Sequence, residues 1–100
     1  MMWYDTGLPA NESRPWSVVE IEGASIGVVF VDCRWWAAQD RCSHAGCAFS
    51  ADGELEGTVM VCSCGSEFDV RTGEVLRPPA VDPITVYGTR VSWGTIEIEM

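Results

Sequence analysis

Four of the five cysteines in this 100-residue chain, together with its only histidine, fall in two short segments. The first reads Cys42-Ser43-His44-Ala45-Gly46-Cys47 and the second Cys62-Ser63-Cys64-Gly65-Ser66. Cys-x-His sets a thiolate and an imidazole within one tight turn, and Cys-x-Cys supplies two further sulfurs from a second turn. Thiolates and imidazoles are the donors that select zinc and iron–sulfur centres. One such segment alone could be chance; two make a strong metal signal. Glycine follows the candidate ligands in both, as needed where backbone wraps closely around a compact centre. The candidate ligands are therefore Cys42, His44, Cys62 and Cys64. No catalytic residue is expected, because the sole histidine is committed to metal and no nucleophile–base pair remains.

The elements that must position these loops read as strands. Helical periodicity is nearly absent, and short runs of β-branched and aromatic residues are punctuated by Gly, Pro, Asp and Ser, so the fold class is all-β. Strands are expected at Trp16–Glu22, Ser25–Val31, Arg34–Gln39, Thr58–Cys62, Glu67–Val70, Ile84–Tyr87, Thr89–Ser92 and Thr95–Glu99. In the last of these, Ile96 and Ile98 share one face, and Glu97 and Glu99 the other. Turns are expected at Glu22-Gly23, Asp52-Gly53, Thr72-Gly73 and Trp93-Gly94. Arg77-Pro78-Pro79-Ala80 is expected to be a loop, since its prolines lack the donors of a central strand. Both candidate metal loops begin at or just after a strand end.

Composition bounds what such a molecule can do. The length suits one domain spanning residues 1–100, and 47% hydrophobic residues can furnish a core. No apolar run approaches the roughly 20 residues that cross a bilayer, and Met1-Met2-Trp3-Tyr4-Asp5 lacks signal-peptide character. A cytoplasmic, monomeric protein is the expectation. The odd cysteine number, with no signal peptide, favours metal binding over a disulfide framework. Fifteen acidic residues against six basic ones, all arginine, give a formal charge of −9. That acidity argues against nucleic acid and anionic membrane as partners. It suits docking onto a basic protein surface, or simply keeps the chain soluble.

Cys42-x-His44-x-Gly46-Cys47, with Gly65-Ser66-x-Phe68-Asp69-x-x-Thr72-Gly73-Glu74 downstream, resembles the Rieske family. So does the tail with Pro83-Ile84, Tyr87, Val91, Gly94 and Ile96. The resemblance runs from about Trp16 to the end and is strongest to the ferredoxin components of bacterial ring-hydroxylating oxygenases. It implies an antiparallel β-sandwich with a small cluster-binding subdomain and a 2Fe–2S cluster. It further implies a carrier of one electron, not an enzyme, between a flavin- or nicotinamide-dependent reductase and a terminal oxygenase. Carried over by position, Cys42 and Cys62 bind the inner iron and His44 the outer one, near solvent at the protein tip. The family's second loop reads Cys-x-x-His-Gly, whereas this chain reads Cys62-Ser63-Cys64-Gly65, so one histidine is missing.

Three readings of that gap stand open. Cys64 replaces the histidine as ligand; or Cys64 pairs with Cys47 in a disulfide and iron takes an external fourth donor; or the cluster is absent or labile. A structural zinc module built on Cys42, His44, Cys62 and Cys64, or a cluster-free small subunit of a larger oxidoreductase, is the alternative. The resemblance also gives Ser66 as a hydroxyl donor to cluster sulfur, with a plain turn serine as the other reading. Phe68 stands where higher-potential relatives have a tyrosine. Pro78 and Pro79 would shield the cluster, with a simple turn as the other reading; Cys33 is a bystander thiol, and Trp35 and Trp36 are packing residues.

Overall fold

The computed structural model describes residues 2–10, 16–44, 46 and 48–100, and the ordered elements are almost all strands. In chain order they are β1 (Trp3–Pro9), β2 (Trp16–Ile21), β3 (Ala24–Val31), β4 (Arg34–Gln39), α1 (Phe49–Asp52), β5 (Glu54–Glu56), β6 (Val59–Val61), β7 (Glu67–Asp69), β8 (Val75–Arg77), β9 (Val86–Ser92) and β10 (Thr95–Glu99). Among the described residues they form two antiparallel sheets, β1-β10-β9-β4-β3-β2 and β5-β6-β7-β8. No helix among them is long and apolar enough to cross a membrane.

The join between the sheets is written into β3 and β4, which lie inside the larger sheet and are covered on both faces. Ile26, Val28 and Ala37 pack with Ile96 and Ile98 of β10. Val29 and Ala38 point the other way, into a core with Phe49, Met60, Phe68, Val70 and Ile84. A strand covered on both sides does not alternate apolar with polar, so the apolar run around Ile26–Val29 is its expected signature. Phe49 and Phe68 meet edge to face at 5.5 Å and tie α1 to β7. Cys42 and Cys62 are themselves part of this second core.

Tight two-residue turns set the register of the large sheet. Glu22-Gly23, Asp32-Cys33 and Trp93-Gly94 all have positive φ at both positions, the conformation whose twist matches paired strands. The expected segments Ile84–Tyr87 and Thr89–Ser92 differ from the structure, where Val86–Ser92 is one strand. Gly88 does not break it. It pairs with Glu99, and its missing side chain leaves room for Glu99 and the Trp3 ring. Ile84 lies outside the strand, buried, with its N–H donated to the Gly73 carbonyl. The expected Asp52-Gly53 turn closes the short helix α1, and Arg77 ends β8 rather than opening the proline loop.

Candidate metal centre

The first ligand loop leaves β4 through residues that anchor it on several sides. Gln39 donates from its side-chain amide to the Arg41 carbonyl at 2.8 Å and accepts the Thr85 N–H at 2.7 Å. Asp40 donates its N–H to Ser25 O, and its buried carboxylate accepts the Ser50 N–H at 3.0 Å and the Ser50 hydroxyl at 2.5 Å. The stem before Cys42 is thereby bonded to the start of α1 beyond the loop. Inside the loop Gly46 donates to Cys42 O, and the Arg41 guanidinium donates to Gly46 O. The second loop follows β6 and folds on itself: Gly65 donates to Cys62 O and Cys62 donates to Ser66 O. Gly65 has φ +96, a conformation open to glycine at no steric cost.

These two turns bring three sulfurs together. Cys64 Sγ lies 3.3 Å from Cys62 Sγ and 3.7 Å from Cys42 Sγ, and all three are within 4.8 Å of one another. Cys42 and Cys62 are buried and Cys64 is half-buried. His44 is exposed and adds to the lowering of the Cys64 thiol, but it does not join the group whose ligand atoms all lie within 4.8 Å of one another. Ser66 is fully buried, with Oγ 3.2 Å from Cys64 Sγ, and that oxygen accepts the Ala80 N–H at 3.0 Å. With Ala80 supplying the donor from one side, the hydroxyl proton is available to the sulfur. The Ser66 hydroxyl, and then the Ser66 backbone, lower the Cys64 thiol to about 6, against the opposing effect of burial. The Cys62 thiol and His44 lower it further. A thiol so placed ionises more readily than a free one.

The structure thus places Cys42, Cys62 and Cys64 in one cluster, with His44 at its exposed side. Cys47 lies outside the described residues, and with it the Cys47–Cys64 pairing; the Cys64 thiol is free. Phe68 is buried in the core and offers no donor. The proline loop is bonded to both ligand loops, through Ala80 N–H to Ser66 Oγ and through the Ser43 hydroxyl to Asp82 O at 2.6 Å. Cys33 is exposed in the β3–β4 turn, outside the sulfur cluster. Trp35 packs on Phe30 and Trp36 donates to Val31 O. Sequence reasoning overlooked Gln39, Asp40 and Ser43, which hold the loops. An acid and an amide directly before the ligand loop were the available signal.

Three thiols and an imidazole match in number and softness what a two-iron, two-sulfide cluster takes from a protein. The family model for the Rieske [2Fe-2S] domain matches residues 4–88. The biphenyl dioxygenase ferredoxin subunit of Pseudomonas sp. (strain KKS102) is 31% identical over 98% of this chain and 93% of its own. The 3-phenylpropionate/cinnamic acid dioxygenase ferredoxin subunit of Escherichia coli (strain K12) is 36% identical over 75% of this chain and 72% of its own. Among solved structures, a chain from the complex of reduced oxygenase and oxidized ferredoxin in carbazole 1,9a-dioxygenase superposes with a TM-score of 0.86. It is 28% identical and covers 97% of this chain and 92% of that one. The Sphingomonas yanoikuyae B1 ferredoxin gives 0.78 at 25% identity, covering 86% and 85%.

Proposed function

The chain belongs to the Rieske [2Fe-2S] domain family, and from that premise we propose that Cys42, Cys62, Cys64 and His44 hold its cluster. The protein is an electron-transfer ferredoxin and not itself a catalyst. When bound, the 2Fe–2S cluster takes up and releases one electron. The observation that carries the ligand assignment is the convergence of three sulfurs, with the Cys64 thiol beside both Cys42 and Cys62. Cys64 takes the role that a second histidine has in the family pattern.

The surrounding residues do the rest of the work. The burial of Cys42 and Cys62 keeps water from the inner side of the site. Ser66 directs its hydroxyl at Cys64 and, with Ala80, holds the proline loop over the second ligand loop. His44 is exposed and marks the side through which an electron leaves most directly. We read the chain as a single cytoplasmic domain, monomeric, that receives its electron from a flavin- or nicotinamide-dependent reductase. The acceptor is the terminal oxygenase of a ring-hydroxylating system. The names of its relatives as dioxygenase ferredoxin subunits support that course.

The test is iron and acid-labile sulfide content with an EPR spectrum of the reduced protein, set beside Cys64→Ser. The expected result is two irons and two sulfides per chain in the parent, with cluster content strongly reduced in the variant. Unchanged iron and spectrum in Cys64→Ser would remove Cys64 from the ligand set.

A further inference from the structure

The spacing of the three sulfurs says more than their number. Two sulfurs bound at about 2.3 Å to one tetrahedral ion stand roughly 3.7–3.8 Å apart. The Cys42–Cys64 separation is 3.7 Å, the Cys62–Cys64 separation 3.3 Å, and every pair lies within 4.8 Å. At these separations the three sulfurs stand close enough to share a single ion, with Cys62 and Cys64 opening slightly to reach the tetrahedral spacing. The cause is local: Cys62-x-Cys64 is one residue shorter than Cys-x-x-His, and the turn closed by Gly65 N–H to Cys62 O folds Cys64 back onto Cys62.

We propose that, with no cluster in the site, these loops bind one thiophilic divalent cation of the Zn²⁺ kind, tetrahedrally, through Cys42, Cys62, Cys64 and His44. The inference rests on the same ligand assignment as the cluster and adds a second occupant for it. Three-thiolate, one-imidazole sites are among the closed sets that hold structural zinc. The fourth ligand would come from the exposed side, where His44 must turn in to join the three sulfurs. Binding replaces thiol protons with metal and involves no redox step. Cys42 and Cys62 belong to the core that joins the two sheets, so the ion would hold that junction together in the absence of iron.

The experiment is to produce the full chain in iron-limited medium supplemented with zinc, and to measure bound metal and the zinc X-ray absorption spectrum. The expected result is one zinc per chain, with three sulfurs at about 2.3 Å and one nitrogen at about 2.0–2.1 Å. His44→Ala should lose the nitrogen shell and keep the sulfurs, a variant that leaves the buried core untouched. Cys64→Ser should weaken retention against a chelator by more than the roughly 10–100-fold that loss of an outer partner costs. Cys33→Ser, altering the exposed thiol of the β3–β4 turn, should retain zinc as the parent does. Purified protein without zinc, a shell of oxygen and nitrogen alone, four sulfurs without nitrogen, or full retention in Cys64→Ser would each overturn the proposal. The cluster is judged separately, on iron and sulfide in iron-replete protein, so either assignment can fail while the other stands.

Discussion

At the scale of single residues, Ser66 couples the cluster environment to the fold. Its oxygen accepts from Ala80 while its proton faces Cys64. A hydrogen bond to sulfur favours the more negative, reduced state, so Ser66→Ala should lower the potential. A preference of ~1.4 kcal/mol between redox states corresponds to about 59 mV for one electron. A shift of tens of millivolts downward is expected by voltammetry, and an unchanged potential would show that the hydroxyl serves only Ala80. Asp69 makes the complementary case for charge. It accepts from Arg71 through Nε and Nη2, both at 3.0 Å, and from the Arg71 N–H at 2.9 Å. The Arg71 side-chain hydrogen bonds hold its carboxyl below the ordinary carboxylate range. The folded state therefore binds that proton less readily than the unfolded chain. The stability so gained is complete above the unfolded value of about 4 and fades as pH falls through the lower folded value. Arg71 is 43% exposed, which keeps the effect modest. Asp69→Asn should lower Tm at pH 7 by roughly 4–8 °C, the equivalent of about 1 kcal/mol in a chain of this size. The difference from the parent should shrink toward pH 3, and a constant difference would assign the loss to packing instead of charge.

At the scale of elements, one turn governs how the small sheet meets the proline loop. Gly73 sits at φ +83 between β7 and β8, donates to Asp69 O, and accepts the Ile84 N–H. A Cβ there would lie 2.1 Å from the Ile84 carbonyl oxygen, which is backbone and has nowhere to go. Gly73→Ala should cost about 3 kcal/mol or more, because strain and clash add. Gly57, with φ +60 and open space around it, is the control: its alanine variant carries the backbone strain alone, about 1 kcal/mol. Equal losses in thermal melts would remove the clash from the account. The Thr72-Gly73 turn was legible in the sequence, as were β4 and β10, because β-branched and aromatic runs bounded by turn residues leave a local trace. Trp3–Pro9 was not: its glycine and proline suit an edge strand that, among the described residues, pairs only with β10 and bulges between Asp5 and Pro9. The three-residue strands β5 and β8 are too short to show a period. The candidate ligands were legible because thiols and imidazole advertise themselves by type and spacing. Gln39 and Asp40 were not, since their partners Thr85, Ser25 and Ser50 come together only in the fold.

At the scale of the whole molecule, the formal charge of −9 and the surface beside the ligand loops yield separate expectations for an encounter with a partner. Val81 is 84% exposed between the buried Ala80, which holds Ser66, and Asp82, whose carbonyl holds Ser43. An apolar side chain kept outward on a loop bonded to both ligand loops suits a brief contact made around the exit side of the site. The net acidity of the chain suits long-range steering toward a basic patch. Two consequences separate these contributions. Raising ionic strength from about 0.01 to about 0.5 M shortens the screening length from roughly 30 Å to a few ångströms. Stopped-flow reduction of a terminal oxygenase by this protein should then slow by about tenfold in its bimolecular rate constant. Val81→Asp adds to the negative charge but puts a carboxylate into the contact itself, so its rate should fall several-fold even in high salt, with the potential unchanged. Val18→Asp adds the same charge on β2, at a side chain 41% exposed, and should leave the high-salt rate at the parental value. If the two aspartate variants behave alike, the contact does not include the proline loop. A rate indifferent to salt would mean that the acidity has no part in the encounter.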